Sequence, residues 1–203
     1  DNINQAIAIL NPLNTTDGRV SDFRELEWAD SEILRFIGGV GGFDGLVTRD
    51  TLFSSLGLFE WNITTGSIGR IEGVTNPIAH TRAPDGGIWF VSQPDSTVIF
   101  HLPAGATSAV PLFSDWTSIS LTPATMWDID NFDGQPVVAA NVLISPLAGT
   151  QGMILVLDLA SGSASAIWSD SRPRSFAKVP GMSAVVIDVI DGAGANLWLA
   201  ELP

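Results

Sequence analysis

Cysteine and tyrosine are absent from the 203-residue chain, and lysine occurs once, at Lys178. Without cysteine there is no disulfide, no thiolate metal site and no cysteine nucleophile. The compartment stays open, because a secreted domain with a sufficient core needs no disulfide. Basic charge is scarce too: 9 Lys and Arg stand against 22 Asp and Glu, for a net charge of −13. Phosphate backbones and anionic lipid surfaces are bound through Lys and Arg, so nucleic acid and membrane surfaces are unsuited partners. Long apolar runs are also missing. The best candidate, "MILVLDLASGSASAIW", is broken by Asp158 and by Gly and Ser, short of the ~18 residues of a spanning helix. No basic segment leads into an apolar leader, and an opening Asp1 instead of Met fits a mature or trimmed product.

What is present is repetition. The phrases "GLFEWNITTGSIGRI" (57–71), "STVIFHLPAGATSAVPL" (96–112), "GMILVLDLASGSASAIW" (152–168) and "ANLWLAELP" (195–203) share one plan. Each is an alternating apolar strand; in all but the last, a Thr-, Gly-, Ser- or Ala-rich turn and a second strand follow, a hairpin signal. "QAIAILNPLNTTDGRV" (5–20) is a fifth instance. Upstream lie further strand-like runs at 45–55, 86–93, 135–145 and 182–190, introduced by "FDG", "PDGG", "FDGQP" and "VPG" turns. Leu58, Val98, Ile154 and Leu197 then recur at spacings of 40, 56 and 43 residues. Four short antiparallel strands per roughly 40–50 residues is the period of a β-propeller blade.

The expectation is therefore an all-β, single-domain propeller over residues 1–203 with about four four-stranded blades. These span roughly 20–71, 72–112, 113–168 and 169–203, the last completed by residues 1–19. The alternative is an arc of a larger six- or seven-bladed ring, closed by a partner chain. Trp89, Phe90 and Phe100 are expected to pack between blades. The long third unit implies an insertion near "LISPLAGTQ". Residues 20–39 carry a helix-like cap and a Gly38-Gly39 stop, but their apolar positions fit a 3.6 period only partly. In the repeat they fall instead on a loop and the innermost strand of blade one.

The stretch "APDGGIWFVSQPDSTVIFHLPAG", preceded by "LFEWNITTGSIGRI", resembles blades of the streptogramin lyase, gluconolactonase-like and strictosidine-synthase-like propellers. Asp85-Gly86, the "IWF" at 88–90 and Trp61–Gly66 carry that likeness. They are structural motifs, and they cover about half of the chain. The resemblance implies a propeller; it transfers no catalytic residue.

Propeller chemistry sits in the axial channel or on the loops of one face. Glu27, Asp30, Glu32, Asn76, His80, Asp128, Asp130, Asn131 and Lys178 fall on the expected innermost strands and their loops. Glu27, Asn76 and Trp127 are candidate ligand contacts. His80, in "NPIAHTRAPDG", is a candidate general base, against the plainer role of a satisfied strand histidine. In "WDIDNFDG", Asp128, Asp130 and Asn131 are candidate ligands for calcium or another divalent cation. The same residues also suit an acidic turn in which Asp and Asn bond their own backbone. Glu25, Glu27, Asp30 and Glu32 read as a solvated acidic face. Asn14 and Asn62 each lie two residues before Thr and are glycosylation acceptors if the chain is secreted.

Three functions follow as expectations. The first is an extracellular propeller that recognises a small molecule, glycan or protein at its channel or on one face. The second is a channel-sited enzyme of lactonase, lyase or cyclase type, metal-dependent or not, acting on a small oxygenated molecule. The third is a structural subunit of a multi-chain assembly.

Overall fold

The computed structural model describes residues 13–15, 18–40, 56–116, 121–145, 149–169, 173–191 and 194–202. It is an all-β protein whose sheets are arranged as a four-bladed propeller. Sheet one contains β1 (Leu13–Thr15), β2 (Gly18–Trp28), β3 (Ile33–Val40), β4 (Leu56–Asn62) and β5 (Ile68–Arg70). Sheet two contains β6 (Pro77–Arg82), β7 (Ile88–Ser92), β8 (Ile99–Leu102) and β9 (Val110–Phe113). Sheet three contains β10 (Pro123–Phe132), β11 (Gln135–Ser145), β12 (Gly149–Asp158) and β13 (Ser163–Trp168). Sheet four contains β14 (Pro173–Lys178), β15 (Ala184–Asp191) and β16 (Gly194–Glu201). Every sheet is antiparallel and runs in chain order, as hairpin-linked strands must.

The turns follow from their residues. Phe132 pairs with Gln135 across Asp133 and Gly134, whose φ values of 54° and 92° give the two-residue I′ turn that matches strand twist. Asn62 Oδ1 accepts the Thr64 and Thr65 amides at 3.0 and 2.8 Å, fixing the "NITTG" hairpin. The "PDGG" turn joins β6 to β7, and Gly87 lies where a Cβ would collide with the Leu102 carbonyl oxygen.

Among the described residues, strand alternation sorts the core into three flanks between sheets. On β7, Ile88 and Phe90 face sheet one with Ile37, Leu56 and Leu58. Trp89 and Val91 face sheet three with Met126, Val138 and Leu155. The next flank joins Val137, Ala139, Ile154 and Val156 of sheet three to Phe176, Val185, Ile187 and Val189 of sheet four. Trp89, Phe90 and Phe100 thus pack between blades as their sequence pattern predicts, Phe90 stacking on Phe100 at 5.4 Å.

Two details differ from the sequence expectation. Residues 20–39 form two strands, β2 and β3, joined by a turn in which Asp30 Oδ1 accepts the Glu32 and Ile33 amides. A loop and a single strand were expected there; the Asx turn at Asp30 is what divides the segment. The run at 45–55 lies outside the described residues. Within the closing segment 1–19, Leu13–Thr15 pairs with β2, so this part extends sheet one rather than sheet four; residues 1–12 lie outside the described residues. The third unit's insertion is realised as a long β11–β12 hairpin.

A candidate ligand site at the hub

One strand from each of the four sheets, β2, β6, β10 and β14, borders one cavity of about 360 Å³. Each of these strands carries a β-bulge. The register shifts between Arg24 and Glu27, between Pro77 and Ala79, between Met126 and Asp128, and between Pro173 and Ser175. A bulge inserts an unpaired residue and re-aims its neighbours. In three of the four the inserted residues reach the cavity: Glu25 and Leu26, Trp127, and Arg174. Glu25 takes a φ of 49°, in the left-handed region that some bulges adopt.

His80 anchors the site. Its side chain is fully buried, and Nε2 lies 2.8 Å from the Glu25 carbonyl oxygen. A carbonyl can only accept, so Nε2 carries the hydrogen and donates it. The other ring nitrogen, Nδ1, lies 3.3 Å from Glu27 Oε2. The pair is an ion pair only when the imidazole is protonated, and both atoms are buried without a hydrogen-bond partner. Such orphaned buried groups are rare in folded proteins.

Thr81 links three sheets. Its hydroxyl faces Glu27 Oε1 at 3.4 Å and Asp130 Oδ1 at 3.2 Å. One hydroxyl hydrogen serves two carboxylates, so it can satisfy only one at a time. Glu27 Oε1 is also held by the Arg82 amide at 2.9 Å, and Asp130 Oδ1 by the Asn131 amide at 2.7 Å.

The electrostatics are those of crowded carboxylates. Burial pushes the Asp128 carboxyl up to about 7, and the Glu25 and Asp130 charges add to this; the Ile129 and Phe176 amides offset part of it. Asp130 is also raised by burial, against the pull of the Asn131 amide and Thr81. Glu25 is exposed at the rim, yet desolvation on its cavity side raises it in spite of His80 and Arg24. For Glu27, burial pushes upward but His80, the Arg82 amide and Arg35 outweigh it, and the carboxyl falls below its usual value. The site therefore combines crowded carboxylates, one of them a half-neutral carboxylic acid at neutral pH, with a buried imidazole.

Of the residues singled out from sequence, the cavity gathers Glu27, His80, Trp127, Asp128 and Asp130. Asn131 turns away: its amide nitrogen donates to the Arg82 carbonyl at 2.8 Å and its Oδ1 accepts the Gly134 amide at 2.8 Å. Asn76, at φ 46°, serves through its carbonyl, which accepts the Gln93 amide at 2.9 Å. Asp30 holds the β2–β3 turn beside Glu32, and Lys178 pairs with Asp133 at 2.5 Å. Asn62 holds its hairpin, while the side chain of Asn14 lies outside the described residues. Thr81, Arg174 and Phe176 also line it without having been anticipated, and Glu25, exposed at the rim, borders it as well. Only an explicit search for bulges at each strand bordering the cavity would have brought Arg174 forward. Among the described residues, no three His, Asp or Glu side chains converge as metal ligands. The Asn131 side chain is engaged in its turn, apart from Asp128 and Asp130.

The architecture is shared with known propellers. No family model matches the chain, and no curated protein sequence matches it. Among solved structures it is similar to a protein assigned as a gluconolactonase, with a TM-score of 0.61 at 12% identity over 93% of this chain. It is also similar to the tricorn protease, with a TM-score of 0.60 at 16% identity over 91% of this chain. The acylaminoacyl peptidase of Pyrococcus horikoshii matches with a TM-score of 0.52 at 14% identity over 90% of this chain. At such identities the likeness establishes the fold alone. The match spans 61% of the gluconolactonase, 18% of the tricorn protease and 30% of the peptidase.

Proposed function

We propose that the chain recognises a small molecule rich in hydrogen-bond donors, a polyol or an amine, in the hub cavity. The observation that carries this reading is the orphaned pair His80 Nδ1 and Glu27 Oε2, buried side by side in the wall of a carboxylate-lined hollow. Both atoms accept when His80 is neutral and Glu27 ionised, so a ligand donor directed at the pair would serve two buried groups at once. Trp127 and Phe176 supply the apolar faces that small-ligand pockets combine with a few placed polar groups. Calorimetric titration with D-gluconate, D-glucitol and ethanolamine tests the reading. Binding by the wild type that weakens at least tenfold in Glu27→Gln supports it. No heat with any probe, or equal binding by the variant, overturns it.

A second reading is favoured by Asp128. A carboxylic acid half-protonated near neutral pH suits a general acid, and His80 or Glu27 could serve as its base. The reaction would be ring opening of a small lactone, in line with the gluconolactonase likeness. Hydrolysis of D-glucono-δ-lactone above the buffer rate, lost in Asp128→Asn with binding retained, would establish it; a variant as active as the wild type would dismiss it. A secreted life remains part of the proposal. Expression in a eukaryotic secretory host should give a mass that falls on glycosidase treatment, through Asn14 or Asn62.

A further inference from the structure

A second hollow lies away from the hub, on the face of sheet two that turns toward sheet one. Its volume is about 450 Å³, and it shares no lining residue with the hub cavity. The floor is aromatic. Phe90 and Phe100 are cross-strand partners on β7 and β8, stacked 5.4 Å apart at 22°, with Phe90 buried and Phe100 half-buried. The face of such a ring is electron-rich and receives weakly positive C–H groups. Thr75, Gln93, Asp95, Thr107 and Ser108 stand around this floor.

Hydrogen bonds fix the walls in advance. Ser92 Oγ donates to the Thr75 carbonyl, and the Gln93 amide donates to the Asn76 carbonyl at 2.9 Å. These bonds clamp the end of β7 to residues 71–76, which join β5 to β6. Thr97 Oγ1 donates to Asp95 Oδ1 at 3.0 Å, and Trp116 Nε1 to the Thr97 carbonyl at 2.6 Å. Gly73, at φ 81°, comes so near the β8–β9 turn that a Cβ would lie 2.7 Å from the Thr107 carbonyl oxygen. A wall already in place spares a ligand the cost of ordering it.

We propose that this hollow is a second binding site, and that its ligand is a neutral pyranose sugar with a C–H face on Phe100 and its hydroxyls against the rim. The volume falls in the range of small-ligand pockets, and an apolar floor with a few placed polar groups is their usual make-up. Among the described residues, Asp95 is the one charged residue of the lining. A phosphate or carboxylate ligand would meet that charge with no cation to offset it. The rim also favours hydroxyls over an ammonium group. An ammonium only donates, and the Asp95 carboxylate alone would serve it. Sugar hydroxyls donate and accept, and Thr75, Gln93, Thr107 and Ser108 bear groups that do the same.

Amide NMR spectra of the full chain, titrated with the methyl glycosides of D-glucose, D-galactose and D-mannose, test this. A single sugar ring is a weak ligand, so the titration runs to ~50 mM. At least one glycoside should shift the amides of Gln93, Asp95, Thr107 and Ser108 along a saturable curve and leave those of Asp128 and Asp130 in the hub unmoved. Phe100→Leu keeps apolar bulk and removes the ring; it should weaken binding at least fivefold. Asp95→Asn, at an exposed position, keeps the turn and removes the charge; it should weaken binding at least threefold, because a carboxylate accepts more strongly than an amide. The spectrum without sugar shows whether each variant is folded. No saturable shift with any glycoside overturns the inference, as do shifts confined to the hub. So does an affinity that either folded variant leaves unchanged, or tighter binding of phenethylammonium than of every glycoside at these amides.

Discussion

The flanks between the sheets and the hub where the sheets meet are built from the same strands by opposite rules. Along β10, Met126, Ile129 and Phe132 enter the apolar flanks, while Asp128 and Asp130 border the cavity. The flanks are almost wholly apolar and leave little polar unmet. The hub is crowded with carboxylates, breaks alternation with bulges, and leaves buried polar atoms without partners. The contrast teaches that one set of residues specifies the ring and another its chemistry, so substitutions in the two regions should separate in kind as well as size.

The largest effect is expected in a flank. Leu155 is fully buried against sheet two, and Leu155→Ala should cost about 3–4 kcal/mol in chemical denaturation. Gly87→Ala should cost about 2 kcal/mol, because a methyl group there meets the Leu102 carbonyl. A Gly87→Ala protein as stable as the wild type would show that the β6–β7 hairpin can shift.

The hub should behave the other way. The Asp128 carboxyl is raised from its unfolded value of 3.8 to about 7. The folded state therefore binds more protons than the unfolded one between these values, and stability falls as pH rises from about 4 to 7. Asp128→Asn should reduce that fall, leaving the part due to Asp130 and Glu25, and raise stability at pH 8 by on the order of 1–2 kcal/mol, with little change at pH 4. Unfolding measured at both pH values decides it; equal slopes in variant and wild type would remove the hub from the account. Thr81→Val should cost about 1 kcal/mol, since one hydroxyl hydrogen is shared between Glu27 and Asp130. Smallest of all, Leu197→Ser should change monomer stability by under about 0.5 kcal/mol, although it removes the same type of residue as Leu155→Ala.

The flanks were far more legible in the sequence than the hub. Trp89 and Phe90 announce a strand buried on both faces because alternation is a local pattern, and "PDGG" and "FDGQ" announce their turns for the same reason. The hub joins residues from four units some 40–56 residues apart, and no local pattern says which meet. His80, Asp128 and Asp130 could be proposed because their types stand out on innermost strands. Asn131 was drawn in by its neighbours in "DIDN", but the I′ turn uses its side chain. Thr81 was passed over because neighbours on a strand point to opposite faces. On the strand nearest the axis, both faces come close to the centre, and His80 and Thr81 line it together.

The four bulges of the strands that border the cavity give this ring an adjustable centre. Because an inserted residue stands outside the pairing register, exchanging Trp127 or Arg174 changes what the core of the ring displays and leaves the neighbouring wedges in step. Such positions are where a new specificity could be written into this scaffold at the least structural risk.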